Sequence, residues 1–260
     1  MSIMGALSGG GIRQFVARYP YRSALIFWLL FFLLNIPAGV IGLILTLNPL
    51  ILVVVADTFV SIAGILLVLG LLWWKRAGFS TLGDYHDLIL YLLPIGIALI
   101  SVVEGITIPA PSMILLFVVF SLVVGFAEET FFRGLILPTL LPVGIWRAVL
   151  ISAILFAAPH MLNAVGGIWD PLFTVADSVA AFGIGIAFAA LLIRTGSIWP
   201  LIGIHALVNF TALLSLGSLS IPPQSFGQLA VTVVVGVAMT IYGIYLIRPG
   251  TPVRLPAATG

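Results

Sequence analysis

Three charged side chains stand within six residues of one another in an otherwise apolar stretch: Glu128, Glu129 and Arg133, in Gly125-Phe-Ala-Glu-Glu-Thr-Phe-Phe-Arg-Gly134. On a helix Glu129 and Arg133 lie four apart on one face, with the acid on the favourable N-terminal side. They can neutralise each other. Glu128 is turned about 100° away from that face and has no such local partner. Adjacent carboxylates repel, so one of them holds its proton more tightly than usual, and a carboxyl tuned in that way suits general acid–base chemistry. The residues that could work with it lie further along. His160 follows a proline in Phe156-Ala-Ala-Pro-His160, and His205 precedes Asn209 by one turn in His205-Ala-Leu-Val-Asn209. Pro159 removes a backbone donor just ahead of His160 and predicts a kink there.

These groups must be held inside a lipid-facing framework. Hydrophobic residues make up 62% of the 260 positions and charged residues 7%, whereas a soluble domain has about 25% charged residues. Backbone groups surrounded by hydrocarbon must be satisfied within helices or a closed barrel, and the apolar runs have helix length. The sequence predicts an all-α, polytopic bundle with about eight transmembrane helices: 23–47, 50–74, 88–103, 113–137, 147–165, 172–193, 198–216 and 226–247. Residues 1–22 form a cytoplasmic N-terminal segment, 23–247 the transmembrane domain with its catalytic core at about 113–216, and 248–260 a cytoplasmic tail. Arg13, Arg18 and Arg22 precede an apolar run too long for a cleavable signal.

Charge placement tests the count. With eight spans, Arg13, Arg18, Arg22, Lys75, Arg76, Arg147, Arg194, Arg248 and Arg254 fall on one side, and the opposite loops hold only Glu104 and Asp170. Such a bias makes the basic side cytoplasmic, with both termini on it. Trp28, Trp73, Trp74, Trp146, Trp169 and Trp199 sit near predicted span ends, as in an interfacial belt. A charge near the bilayer centre costs at least about 2.5–3.5 kcal/mol, so Glu128, Glu129 and Arg133 need compensation or a purpose. Counted from the basic end at 1.5 Å per residue, Glu128 lies roughly 14 Å deep, His205 roughly 11 Å and His160 roughly 20 Å. That spread leaves open whether they meet.

Taken together, Glu128-Glu129-x-x-x-Arg133, Phe156-x-x-x-His160 and His205-x-x-x-Asn209 resemble the three motifs of the CAAX-protease and bacteriocin-processing (CPBP, or Abi) family of intramembrane endopeptidases. The likeness covers about residues 113–216. It implies that Glu128 and His160 activate a water against a peptide carbonyl, and that His205 and Asn209 stabilise the oxyanion. Glu129 and Arg133, with Phe156 of the second motif, would support the site. Family members have been described both as metalloproteases and as glutamate-type enzymes. No cofactor is expected on the preferred, metal-independent reading; zinc held by Glu128, His160 and His205 is the alternative. The zincin His-Glu-x-x-His helix is absent, as are cysteines. The implied substrate is a membrane-embedded or lipid-anchored peptide or protein, a prenylated CAAX-like tail among them, cleaved near the cytoplasmic side of the cell membrane. The small net charge of +2 gives no reason to expect nucleic acid.

Other chemistries fit less well. Ser197, Ser215 and Ser218 lie near predicted span ends without a nucleophile motif. Asp57 and Asp177, near the outer ends of their spans, read as helix-end or inter-helix hydrogen-bonding groups rather than an aspartyl dyad. His86, between Asp84 and Asp87, reads as a solvated loop residue; Asn35 with Pro37, and Asn163, read as kink or packing features. Two readings of other classes remain: a proton-coupled transporter, since buried Glu and His also serve as proton relays, and a non-catalytic membrane scaffold of the same fold.

Overall fold

Prolines punctuate the apolar runs, and the helices begin where they fall. The computed structural model describes residues 9–103, 105–164, 169–217 and 225–254. A short helix α1 (Gly9–Arg18) precedes eight spans long and apolar enough to cross a bilayer: α2 (Pro20–Gly42), α3 (Pro49–Gly70), α4 (Tyr85–Val102), α5 (Pro111–Val143), α6 (Ile145–Ala164), α7 (Pro171–Thr195), α8 (Trp199–Leu216) and α9 (Phe226–Leu246). Pro20, Pro49, Pro111 and Pro171 open their helices, at the position where a missing N–H sacrifices no hydrogen bond. Asn48 and Asp170 cap the first amides of α3 and α7, and Ser225 with Gln228 forms a capping box on α9.

The all-helical, eight-span architecture is as expected, and the differences are local. α5 runs past the expected end at 137. It passes through a π-helical turn over Thr130–Ile136 and a further short helix, Leu137–Leu140, near whose start Pro138 is tolerated. α1 was not anticipated within the N-terminal segment. α2 breaks at Leu34-Asn35, where the Asn35 Nδ2 donates to the Phe31 carbonyl. α6 tightens to a 3-10 helix over Ala158–Ala164, beginning just before Pro159, as the missing donor requires. Glu104 and Ser218 lie outside the described residues, as do residues 1–8 and 255–260 of the two tails.

α7 is the central helix. Its most apolar window is 72% buried, against 22–39% for the other spans, whose exposed Leu, Ile and Val side chains form the lipid-facing surface. α7 and α9 touch backbone to backbone. A Cβ on Gly236 would stand 2.6 Å from the Val179 carbonyl oxygen, and one on Gly183 would collide with the Gly236 carbonyl. Without water to drive helices together, such close approach between small residues supplies the association energy. Gly236→Val is therefore expected to destabilise the fold by at least about 1–3 kcal/mol, the usual cost of overpacking. Thermal unfolding in detergent reads this directly, and an unchanged midpoint would refute the contact.

Polar contacts sort the span ends onto two faces. On one, Arg254 Nη1 pairs with Asp87 Oδ2 at 2.6 Å, the Arg254 amide donates to Ile193, and the Arg194 guanidinium donates to Pro252. On that face too, Ser197 Oγ donates to Thr81, and the Trp199 indole to Phe79. The loop after α3, the turn between α7 and α8, and the chain after α9 thus meet on the basic side. On the other face the Thr107 amide donates to Leu214, joining the chain after α4 to the end of α8. His86 is exposed, as expected, but Asp87 is buried by its pair with Arg254. Trp28 makes an inter-helix bond, donating to the Leu155 carbonyl at 2.7 Å, and Trp199 binds a loop carbonyl, so these two indoles do more than mark an interface.

Candidate active site

Four helices deliver the residues of interest. Gly125 lets α5 lie directly on α8: a Cβ there would stand 3.1 Å from the Ala206 nitrogen and from the Ile202 carbonyl oxygen. This contact sets Glu128 and Glu129 against His205. Glu129 is fully buried. Its Oε1 accepts from Arg133 Nη1 at 3.0 Å and from His205 Nδ1 at 2.8 Å. The π-helical turn begins directly after Glu129; such turns often occur at functional sites. The Arg133 guanidinium also lies over the Phe156 ring, 4.1 Å from its centroid, and 5.4 Å from that of Phe188. Arg133 Nε and Nη2 have no hydrogen-bond partner among the described residues; the electron-rich ring faces stabilise the cation.

Glu128 has a different environment. Its side chain retains 23% of its exposure and stands 3.6 Å, Oε2 to Nε2, from His205. It borders a cavity of about 560 Å³ that also reaches Phe156, His160, His205 and Asn209. The three sequence motifs therefore converge, and the depth spread counted along the helices is closed by their packing. Phe156 lies between the two imidazoles, with ring centroids 5.7 Å from His160 and 6.0 Å from His205. Asn209 borders the cavity, and its buried Nδ2 has no hydrogen-bond partner among the described residues. Buried amide donors are rarely left so.

Sequence reading missed one participant and misread others. Asp177 Oδ2 stands 2.6 Å from His160 Nδ1. The inter-helix hydrogen bond considered for Asp177 is real, but the residue is not a helix-end group. It holds an imidazole on the cavity wall, and its one sequence signal was an acid inside an apolar run. Asp57, likewise expected near a helix end, is buried and lines the same cavity. So do Asn163, expected to be a packing feature, and Ser215. Among the described residues no three His, Cys, Asp or Glu side chains are gathered to hold a metal ion. His205 uses Nδ1 for Glu129 and faces Glu128 with Nε2, and His160 is held by Asp177. Carboxylates on Nδ1 leave Nε2 of each ring available, a pattern that suits an imidazole base and a metal-ligating imidazole alike.

Eight apolar spans around a cavity that carries carboxylates, imidazoles and an amide define a multi-pass membrane protein with an internal polar cavity. Residues 110–211 match the family model for Rce1-like proteins, described as type II CAAX prenyl endopeptidases. This stretch carries the domain of the CPBP, or CAAX-protease, family, a family of membrane peptidases. All three motifs and Asp177 fall inside it. No curated protein matches the chain.

Proposed function

We propose that the protein is an intramembrane endopeptidase that hydrolyses a peptide bond of a membrane-associated peptide or protein within this cavity. The reading rests chiefly on the convergence of Glu128, His160, His205 and Asn209 on one cavity. Glu128 and His160 share the activation of a water. With Nδ1–H donating to Asp177, His160 presents Nε2 as a base, the arrangement that a carboxylate imposes on an imidazole in other hydrolases. The water oxygen bonds to the scissile carbonyl carbon while its proton passes to the base. The oxyanion that forms accepts from Asn209 Nδ2 and from His205 Nε2; a protonated His205 can donate from both ring nitrogens. Return of the proton to the amide nitrogen lets the carbon–nitrogen bond break. Glu129 and Arg133 fix the ring of His205.

The direct test is incubation of the purified protein with a panel of membrane-anchored peptides, with and without a chelator, and mass analysis of the products. Cleavage that survives chelation supports the metal-independent step. Loss on chelation with recovery on adding zinc would overturn that step. Asn209→Ala should lower kcat by about 10²- to 10³-fold, the usual loss for one oxyanion donor. A wild-type rate in that variant would remove Asn209 from the mechanism. Asp177→Asn should lower kcat about 10²-fold, as for loss of a well-oriented base, with KM little changed. Asp177→Glu, which retains the carboxylate, should recover part of the rate. Equal loss in both Asp177 variants would mark a packing role instead.

A further inference from the structure

The cavity is placed asymmetrically across the bundle. Its deepest lining residues, Glu128, Phe188 and His205, lie near the middle of α5, α7 and α8. The rest of the lining extends to one end only: Ser101 at the end of α4, Asn163 at the end of α6, Leu216 at the end of α8, and Phe173 and Gln228 at the starts of α7 and α9. All of these ends lie on the face opposite the one where Arg194, Arg254 and the 71–84 loop meet. A separate cavity on the basic face, bordered by Lys75, Thr81, Thr195 and Arg254, shares no lining residue with this one, and packed apolar side chains lie towards that face. Leu135, Ile136, Leu137 and Leu140 of α5 and Leu191 and Leu192 of α7 have no exposed surface.

Resting on the peptidase reading above, we propose that the substrate reaches the site from the face opposite Arg194, Arg254 and the 71–84 loop. Lysine and arginine concentrate around these residues, which makes their face cytoplasmic. The open side is therefore extracytoplasmic, and the substrate class is an exported peptide or an outward-facing segment of a membrane protein, not a cytosolic tail. The chemistry of the lining agrees. Asp57, Glu128 and Asp177 border the cavity and no lysine or arginine does. A tail cut near its own free carboxylate would bring a further acidic group beside these three, with no lysine or arginine among the described lining residues to pair with it. The apolar wall, with Val53, Ile97, Phe120 and Val231, suits a neutral or basic apolar segment.

The chain contains no cysteine, so single thiols report sidedness without background and without any need for cleavage. Ser101→Cys and Ser215→Cys place a thiol at the proposed entrance, and Ser80→Cys places one on the exposed basic face. The full chain is expressed in a bacterial inner membrane and exposed, in spheroplasts, to a membrane-impermeant maleimide. Cysteines at 101 and 215 should label as fully before permeabilisation as after it, and the cysteine at 80 only after it. The reverse pattern would overturn the proposal, as would an entrance that stays unlabelled in permeabilised cells while position 80 reacts. A second arm separates this idea from the peptidase reading. Right-side-out vesicles should cleave an added membrane-anchored reporter without permeabilisation. Cleavage that appears only after permeabilisation sinks the outward access alone. Failure to cleave the whole panel even in detergent counts against the peptidase reading, and the labelling still decides access.

Discussion

Glu128→Gln should retain the fold and lose about 10²- to 10⁴-fold in kcat, the range that a positioned acid–base group contributes. The substitution is nearly isosteric, and Glu128 borders the cavity rather than the packed interior, so the unfolding midpoint should move little. Its neighbour His205 keeps its bond to Glu129, so the oxyanion donors remain in place. What the variant loses is the group that takes and returns a proton. KM should therefore change less than kcat, because substrate contacts along the apolar wall are untouched. Glu128 and His160 act on one water, so Glu128→Gln combined with His160→Ala should be scarcely slower than the worse single variant. Single-turnover cleavage of the best panel peptide measures all three. A Glu128→Gln enzyme at wild-type rate would end the assignment, and strictly multiplicative losses would show that Glu128 and His160 serve separate steps.

The eight spans were legible because membrane solvation leaves little freedom. A run of apolar residues about 20 long has one stable conformation, and a charge excess in alternate loops fixes the parity. The separation of Glu128 from Glu129 was legible for a similar reason: the helical period alone puts Glu129 on the face of Arg133, and the ion pair forms there. The pairing of Asp177 with His160 was not legible. α7 and the end of α6 meet through packing that no local period encodes, and an acid in an apolar run is compatible with several roles. The π-helical turn after Glu129 was also hidden: Gly134 and the following Pro138 mark a weak point in a helix but do not specify its π form. The position of the cavity relative to the basic face is likewise a tertiary property. Depth counted along single helices placed the motifs two turns apart and gave no sign of which end of the bundle was filled.

Arg133→Met should be the most damaging single change to stability, at about 3–5 kcal/mol, the cost of stranding one partner of a buried ion pair. Glu129 has no exposure, and its Oε2 already lacks a partner. Without the guanidinium its charge would rest on His205 alone. The same substitution removes a charge from an apolar span, which favours insertion into the bilayer. Membrane-inserted protein should thus accumulate normally while its resistance to thermal unfolding in detergent falls. The double variant Glu129→Gln with Arg133→Met removes the stranded charge and should regain more than half of the lost stability. Its activity should stay low, because His205 then bonds to an amide and loses the carboxylate that fixes its ring. If the double variant proved as unstable as Arg133→Met, the loss would belong to packing of the guanidinium on Phe156 and Phe188 rather than to charge. If activity returned together with stability, Glu129 would be a purely structural residue, and the oxyanion role of His205 would not depend on it.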